Sequence, residues 1–176
     1  LQYVAGRYPD EAPPSTYITA VHRILKQYAE HNPLFKPQRD ACLAGAQACA
    51  QTVSTQAGEL RGYERFQYLC RWAVAANALD FRTVSTGYAF DAGEVGHIIK
   101  QVFSKELLRD DTQRMYAALR EAKNIVYIPD NVGELPFDRL FIEEIEKLGT
   151  AVTVAFRRGA ITSDVTMEDG NAAGID

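Results

Sequence analysis

A chain of 176 residues can bury a substantial core and form one domain, or a small domain with a companion. Its 47% hydrophobic and 24% charged residues are ordinary for a soluble globular protein, and no apolar run reaches membrane-spanning length, which excludes a transmembrane protein. The 19 Lys and Arg against 23 Asp and Glu give a formal net charge of −4, so no global positive field draws in nucleic acid or anionic lipid, and neither is an expected partner.

The opening LQYVAGRYPDEAPP has no basic start followed by an apolar signal core, and no initiator Met, so the chain reads as trimmed. Pro13-Pro14-Ser15 is a helix start. Ile18, Val21, Ile24, Leu25 and Tyr28 follow at three-and-four spacing until Asn32-Pro33 ends the run. A second helix opens near Pro37 and carries the small-residue stretch ACLAGAQACA, suited to close packing; a third covers about Tyr63 to Leu79. Cys42, Cys49 and Cys70 fall in this helical text without the close pairs of zinc sites or disulfide scaffolds, which predicts free thiols packed as small hydrophobes in a reducing cytoplasm. Asp91-Ala92-Gly93-Glu94 reads as an acidic capping box for a helix through Ile98, Ile99, Val102 and Phe103, and another helix runs from about Thr112 to Ala122. The spaced aromatics Tyr63, Phe66, Tyr68 and Trp72 read as core, His22, His31 and His97 as packed or surface histidines, and Glu143-Glu144 as a solvated helix face.

At Asn124 the period changes. Ile125-Val126-Tyr127-Ile128 is a β-branched apolar run, expected of a strand buried on both faces. Phe137, Leu140, Phe141, Ile145 and Leu148 mark one helix face, which Gly149 stops, and AVTVAF from Ala151 to Phe156 is a second buried strand. Strand, helix and strand form a βαβ unit. The expected architecture is α/β, with a helical N-terminal domain over 1–122 leading into a parallel-sheet α/β domain from 123 to 176. Two strands do not complete a doubly wound sheet, so the C-terminal remainder of that domain is expected to be missing.

The chemistry falls at the carboxyl ends of these strands, where ligands of open α/β sheets bind. YIPDNVGE brings Asp130 and Asn131 there, and RRGAITSD after the second strand brings Arg157, Arg158 and Asp164 to the same edge. Two carboxylates and an amide oxygen are hard ligands that suit magnesium, manganese or a similar divalent metal, and suit zinc poorly. Gly133 is read as the residue that lets the backbone bend behind the acid-amide pair, and the following helix N-terminus favours an anion. Thr166-Met167-Glu168-Asp169 is a capping box for a further helix. Asp-Asn-x-Gly is also a common turn composition, but the arrival of all these groups at one edge favours function.

PDNVGELPFDRLFIEEIEKLG followed by VTVAFRRGAITSDVTMED resembles the damage-control phosphatase family, domain of unknown function 89, in its short stand-alone type. The likeness extends upstream through WAVAANALDF and spans about Trp72 to Asp176. It implies an all-helical domain packed on a Rossmann-like α/β/α domain, and a metal-dependent phosphatase. By resemblance Asp130, Asn131 and Asp164 bind the metal, and Asn77 and Asp80 line the cleft. Val132, Ser163 and Ala76 depart from the family's usual Ala, Asn and Gly, and none of these removes a metal ligand. The family continues into further strands with a Lys-Gly segment that helps hold the substrate phosphate.

The expected activity is a cytoplasmic phosphomonoester hydrolase that uses Mg, Mn, Co or Ni and acts on small phosphorylated metabolites, sugar phosphates or damaged phospho-metabolites. Arg157 and Arg158 are expected anion contacts, and water is favoured over the Asp130 carboxylate as the attacking group. The rival readings are a non-catalytic metabolite- or nucleotide-binding module in the same cleft, or a methyltransferase, which ranks third because no glycine-rich first βα loop is present.

Overall fold

The computed structural model describes residues 13–28, 35–80 and 92–175. Those residues form seven α-helices and one two-stranded parallel sheet. Asp91 of the predicted capping box and His31 lie outside them. The chain divides into two compact units, 1–36 and 37–176. Within the first, α1 runs over Pro14–Tyr28, as its apolar spacing predicts.

From Lys36 onward the order is α2 (Lys36–Ala57), α3 (Gly62–Ala76), a 3₁₀ turn (Asn77–Leu79), a second 3₁₀ turn (Ala92–Glu94), α4 (Val95–Phe103), α5 (Thr112–Glu121), β1 (Asn124–Tyr127), α6 (Leu135–Glu146), β2 (Ala151–Val154) and α7 (Met167–Ala173). Helix α3 is the hub, touching α4, α5 and, most extensively, α6. Its predicted core aromatics are the reason. Phe66 is fully buried between Tyr116 of α5 and Phe141 of α6, with ring centroids 5.0 and 5.1 Å away. Trp72 stacks between Phe103 at 4.2 Å and Phe137 at 5.9 Å. Aromatic rings bury large apolar areas, so this column joins the helical text to the βαβ text through a single core.

β1 and β2 pair in parallel, with Asn124 opposite Ala151 and Tyr127 opposite Val154. The expectation of strands buried on both faces needs correction. Burial alternates along each strand, and Val126 and Ile128 are 63% and 75% exposed. The inward positions Ile125 and Tyr127 lie towards α6, where Tyr127 meets Phe141 with ring centroids 6.4 Å apart. An apolar β-branched run reads the same whether one face is covered or two. Glu144 is a second correction. It is 5% exposed rather than solvated, because Arg65 of α3 reaches it at 2.7 Å and Lys147 at 3.4 Å.

The local punctuation falls as the sequence implies. Gly149 ends the α6 region with φ +94, a left-handed conformation that suits glycine. Thr166 and Asp169 make both bonds of the capping box that opens α7. The three cysteines are free, with Cys42 and Cys70 buried and Cys49 half-buried. Burial pushes the Cys42 thiol up to about 12 and the Cys70 thiol up to about 11, as expected of packed rather than reactive sulfur.

Candidate functional site

Beyond Tyr127 the chain leaves the sheet and turns into α6. The turn is held from both sides. Asn131 forms an isolated antiparallel bridge with Asp164, the Val132 amide donates to the Ser163 carbonyl at 2.8 Å, and the Val165 amide donates to the Asp130 carbonyl at 3.2 Å. Residues 130–132 and 163–165 are therefore paired backbone to backbone, which brings Asp130, Asn131 and Asp164 into one cluster. The Arg157 amide donates to the Val165 carbonyl at 3.2 Å, which ties the end of β2 to the same strip.

Asn77 and Asp80 reach this cluster from the end of α3. Asn77 Nδ2 donates to Glu134 Oε2 at 3.0 Å and lies 3.4 Å from Asp130 Oδ2. Its side chain thus points across to the strand-end turn instead of capping its own helix. Asp80 is buried and accepts a 2.6 Å hydrogen bond from the Ser163 hydroxyl. Arg157 sits 3.2 Å from Asp164 Oδ1 and is half exposed, and Arg158 is exposed in the same loop.

The Asp164 carboxylate is almost wholly enclosed, at 1% exposure, and it organises its own loop: Oδ2 accepts the amides of Ile161 and Thr162 at 3.1 and 3.3 Å. Asn131 is equally enclosed. Its Oδ1 accepts the Gly133 amide at 3.0 Å and its Nδ2 donates to Glu134 at 3.1 Å.

Glu134 is the residue that sequence reasoning left out, although it stands within YIPDNVGE beside Asp130 and Asn131. Its buried carboxylate takes four donors: the amides of Asp130 and Asn131 on Oε1, and the Asn131 and Asn77 side-chain amides on Oε2. Burial raises its pKa, and these hydrogen bonds oppose the rise. The second acid of YIPDNVGE thus binds the turn together. The readable signal was an acid placed to fold back on the amides of the turn before it. One turn along α6, burial and then the charge of Glu134 raise Asp138 well above the usual carboxylate range, while the Tyr127 hydroxyl donates to its Oδ1 at 2.6 Å. Its Oδ2 is buried without a hydrogen-bond partner among the described residues.

Gly133 has a different role from the expected bend. Its backbone is not left-handed. A Cβ there would lie 2.7 Å from both Cys42 Sγ and Leu79 Cβ. Glycine is required because α2 and the end of α3 press directly on the turn.

Among the described residues, no three His, Cys, Asp or Glu side chains form a group able to hold a metal ion. The donor set at the turn is two carboxylates and one amide oxygen, and the Asp130 carboxylate is half-buried and contacted only by the long Asn77 contact among the bonds described. That chemistry fits a hard, oxygen-preferring divalent cation and does not fit zinc.

A family model described as the damage-control phosphatase ARMT1-like domain matches residues 2–176. The chain belongs to that family. An uncharacterized protein from Methanocaldococcus jannaschii is 28% identical over 178 residues, which covers 100% of this chain and 57% of that protein. A damage-control phosphatase from Pyrococcus horikoshii is 33% identical over 112 residues, or 63% of this chain and 37% of that protein. The crystal structure of a DUF89 family protein from Pyrococcus horikoshii matches with a TM-score of 0.77 over 99% of this chain and 58% of that one, at 24% identity. That likeness shows the fold: this chain's helices with a small parallel sheet are similar to the DUF89 structure. The chain spans little more than half the length of these relatives. No described helix is long and apolar enough to cross a membrane.

Proposed function

We propose that this protein is a divalent-metal-dependent phosphatase for small phosphorylated metabolites, with its centre at the paired turns 130–132 and 163–165. The observation that supports the reading is the backbone bridge between Asn131 and Asp164, because it sets the two chain segments that carry Asp130, Asn131 and Asp164 side by side. In a family whose relatives include proteins named damage-control phosphatases, such a cluster suits a cation that binds phosphate. Asp130 and Asp164 hold the metal with Asn131 as the third oxygen donor. When bound, the metal supplies positive charge against the phosphoryl oxygens as negative charge builds there.

The remaining work is done by the chain's own side chains. Glu134 fixes the Asp130-Asn131 backbone and both neighbouring amides, so the donors are set before substrate arrives. Asn77 and Asp80 form the helical wall of the cleft, and Asp80 steadies the Asp164 loop through the Ser163 hydroxyl. Arg157, half exposed and beside Asp164, can turn its guanidinium to a phosphate entering from solvent, with Arg158 next to it.

The test is phosphate release from a panel of phosphorylated metabolites, with Mg, Mn, Co or Ni added and with EDTA. Activity that EDTA removes, and that Asp130→Ala and Asp164→Ala abolish while circular dichroism stays unchanged, supports the proposal. Unchanged turnover and metal titration in both variants overturn the assignment. Metabolite binding without phosphate release favours the non-catalytic module.

A further inference from the structure

We propose that Arg39 of α2 is a positioning residue for the Asp164 side of the site. The inference rests on the metal-site reading above. Arg39 lies far from the cluster in sequence, yet its guanidinium is directed at the loop that carries Asp164. Nη1 donates to the Thr162 carbonyl at 2.7 Å and to the Asp164 carbonyl at 2.8 Å, both buried bonds. Nη2 meets Asp169 Oδ2 at 2.5 Å, with the two side chains 10% and 16% exposed.

Three acceptors on one planar fork fix the loop in all directions. With the carbonyls of Thr162 and Asp164 turned towards Arg39, the amides of Ile161 and Thr162 are free to close on Asp164 Oδ2, which they do at 3.1 and 3.3 Å. The carboxylate is therefore held by the turn, and the turn is held by Arg39. The arginine touches no part of the Asp164 carboxylate among its described bonds, so it acts through the Asp164 loop rather than on a ligand. A lysine cannot replace it, because an ammonium is a single point of donors that does not span two carbonyls and a carboxylate with a planar fork. Loss of an outer support of a metal-ligating carboxylate typically weakens metal affinity by about 10–100-fold.

The experiment is a titration of the purified protein with Mn²⁺ alone, following the electron paramagnetic resonance signal of the free ion, in the parent, Arg39→Lys, Asp164→Ala and the double variant. Thermal unfolding of each is recorded beside it. The expected result is Mn²⁺ binding weakened about 10–100-fold by Arg39→Lys in the parent background with its unfolding midpoint kept, and no further weakening by it of the residual binding that Asp164→Ala retains at raised Mn²⁺. General damage to the fold would weaken binding in both backgrounds alike, and that result overturns the proposal. Parent-like binding by a folded Arg39→Lys protein overturns it while leaving the metal reading intact. Absence of Mn²⁺ binding by the parent overturns both. Should Arg39→Lys fail to fold, Arg39→Gln, which keeps an amide donor for the carbonyls and adds no displaced charge, is carried through the same cycle.

Discussion

Replacing Gly133 by alanine measures how tightly the helical half presses on the strand-end turn. The added Cβ would sit 2.7 Å from Cys42 Sγ and 2.7 Å from Leu79 Cβ, where ordinary contact begins at 3.4 Å, and both neighbours are 0% exposed. Overpacking of a closed core costs about 1–3 kcal/mol, and the upper end applies here because two buried atoms on different elements are struck at once. Since the Gly133 backbone is not left-handed, alanine also restricts the unfolded chain, which returns about 0.4–1 kcal/mol. The net expectation is a loss of about 2–2.5 kcal/mol, which for a chain of this size lowers Tm by about 4–10 °C. Urea unfolding gives the free energy and calorimetry the midpoint. Adding Cys42→Ala removes one of the two obstacles, so the double variant should lose less than the sum of the single losses. A Gly133→Ala protein within about 0.5 kcal/mol of the parent, or strict additivity with Cys42→Ala, would refute the close-approach argument.

Two further outcomes follow from buried charges. Asp138 has a folded pKa raised well above the ordinary 3.8 of an aspartate, first by burial and then by Glu134, so the parent binds this proton more tightly when folded and loses that stability as pH rises from 3.8 through the folded value. Asp138→Asn carries no such proton but keeps an acceptor for the Tyr127 hydroxyl; its Tm should therefore gain on the parent's with rising pH, and a constant gap between about pH 4 and 8 contradicts the assignment. Arg65→Ala strips the main partner from the enclosed Glu144 and leaves, among the described residues, Lys147 at 3.4 Å. Removing one partner of a buried pair costs about 3–5 kcal/mol, and with Lys147 remaining about 2–4 kcal/mol is expected by urea unfolding; a cost below about 1 kcal/mol would place Glu144 effectively in water.

Most elements of the fold were legible because their signals are local. The helical spacing of the aromatics Tyr63, Phe66, Tyr68 and Trp72 marks a helix wherever it packs, and Thr166 and Asp169 cap α7 with bonds made among neighbours in sequence. The stretch YIPDNVGE was legible as the place where polar groups gather. Its internal logic was not, because Glu134 answers amides that become visible only once the turn is closed. Arg39 gave no signal at all: nothing in KPQRDAC distinguishes an arginine on a solvated helix face from one that meets a loop 123 residues further on. The reading of Gly133 failed for the same reason, since its constraint comes from Cys42 and Leu79 on other elements rather than from its own backbone. The strands were found, but how many of their faces are covered depends on neighbours that a four-residue run does not record.

Asp169 is a single carboxylate oxygen with several clients. Its Oδ2 receives the Thr166 amide at 2.8 Å, the Thr166 hydroxyl at 2.6 Å and the Arg39 guanidinium at 2.5 Å. Positions 39, 166 and 169 are therefore coupled through this one oxygen: an exchange at Asp169 strands donors at both Arg39 and Thr166, and an exchange at Arg39 takes from Asp169 the one ion pair described for it. For protein engineering the three form one unit of inheritance, to be transplanted into a new scaffold together. An effort to re-tune the Asp164 loop would do better to begin at the exposed Arg158, where no such mutual obligation among side chains is described.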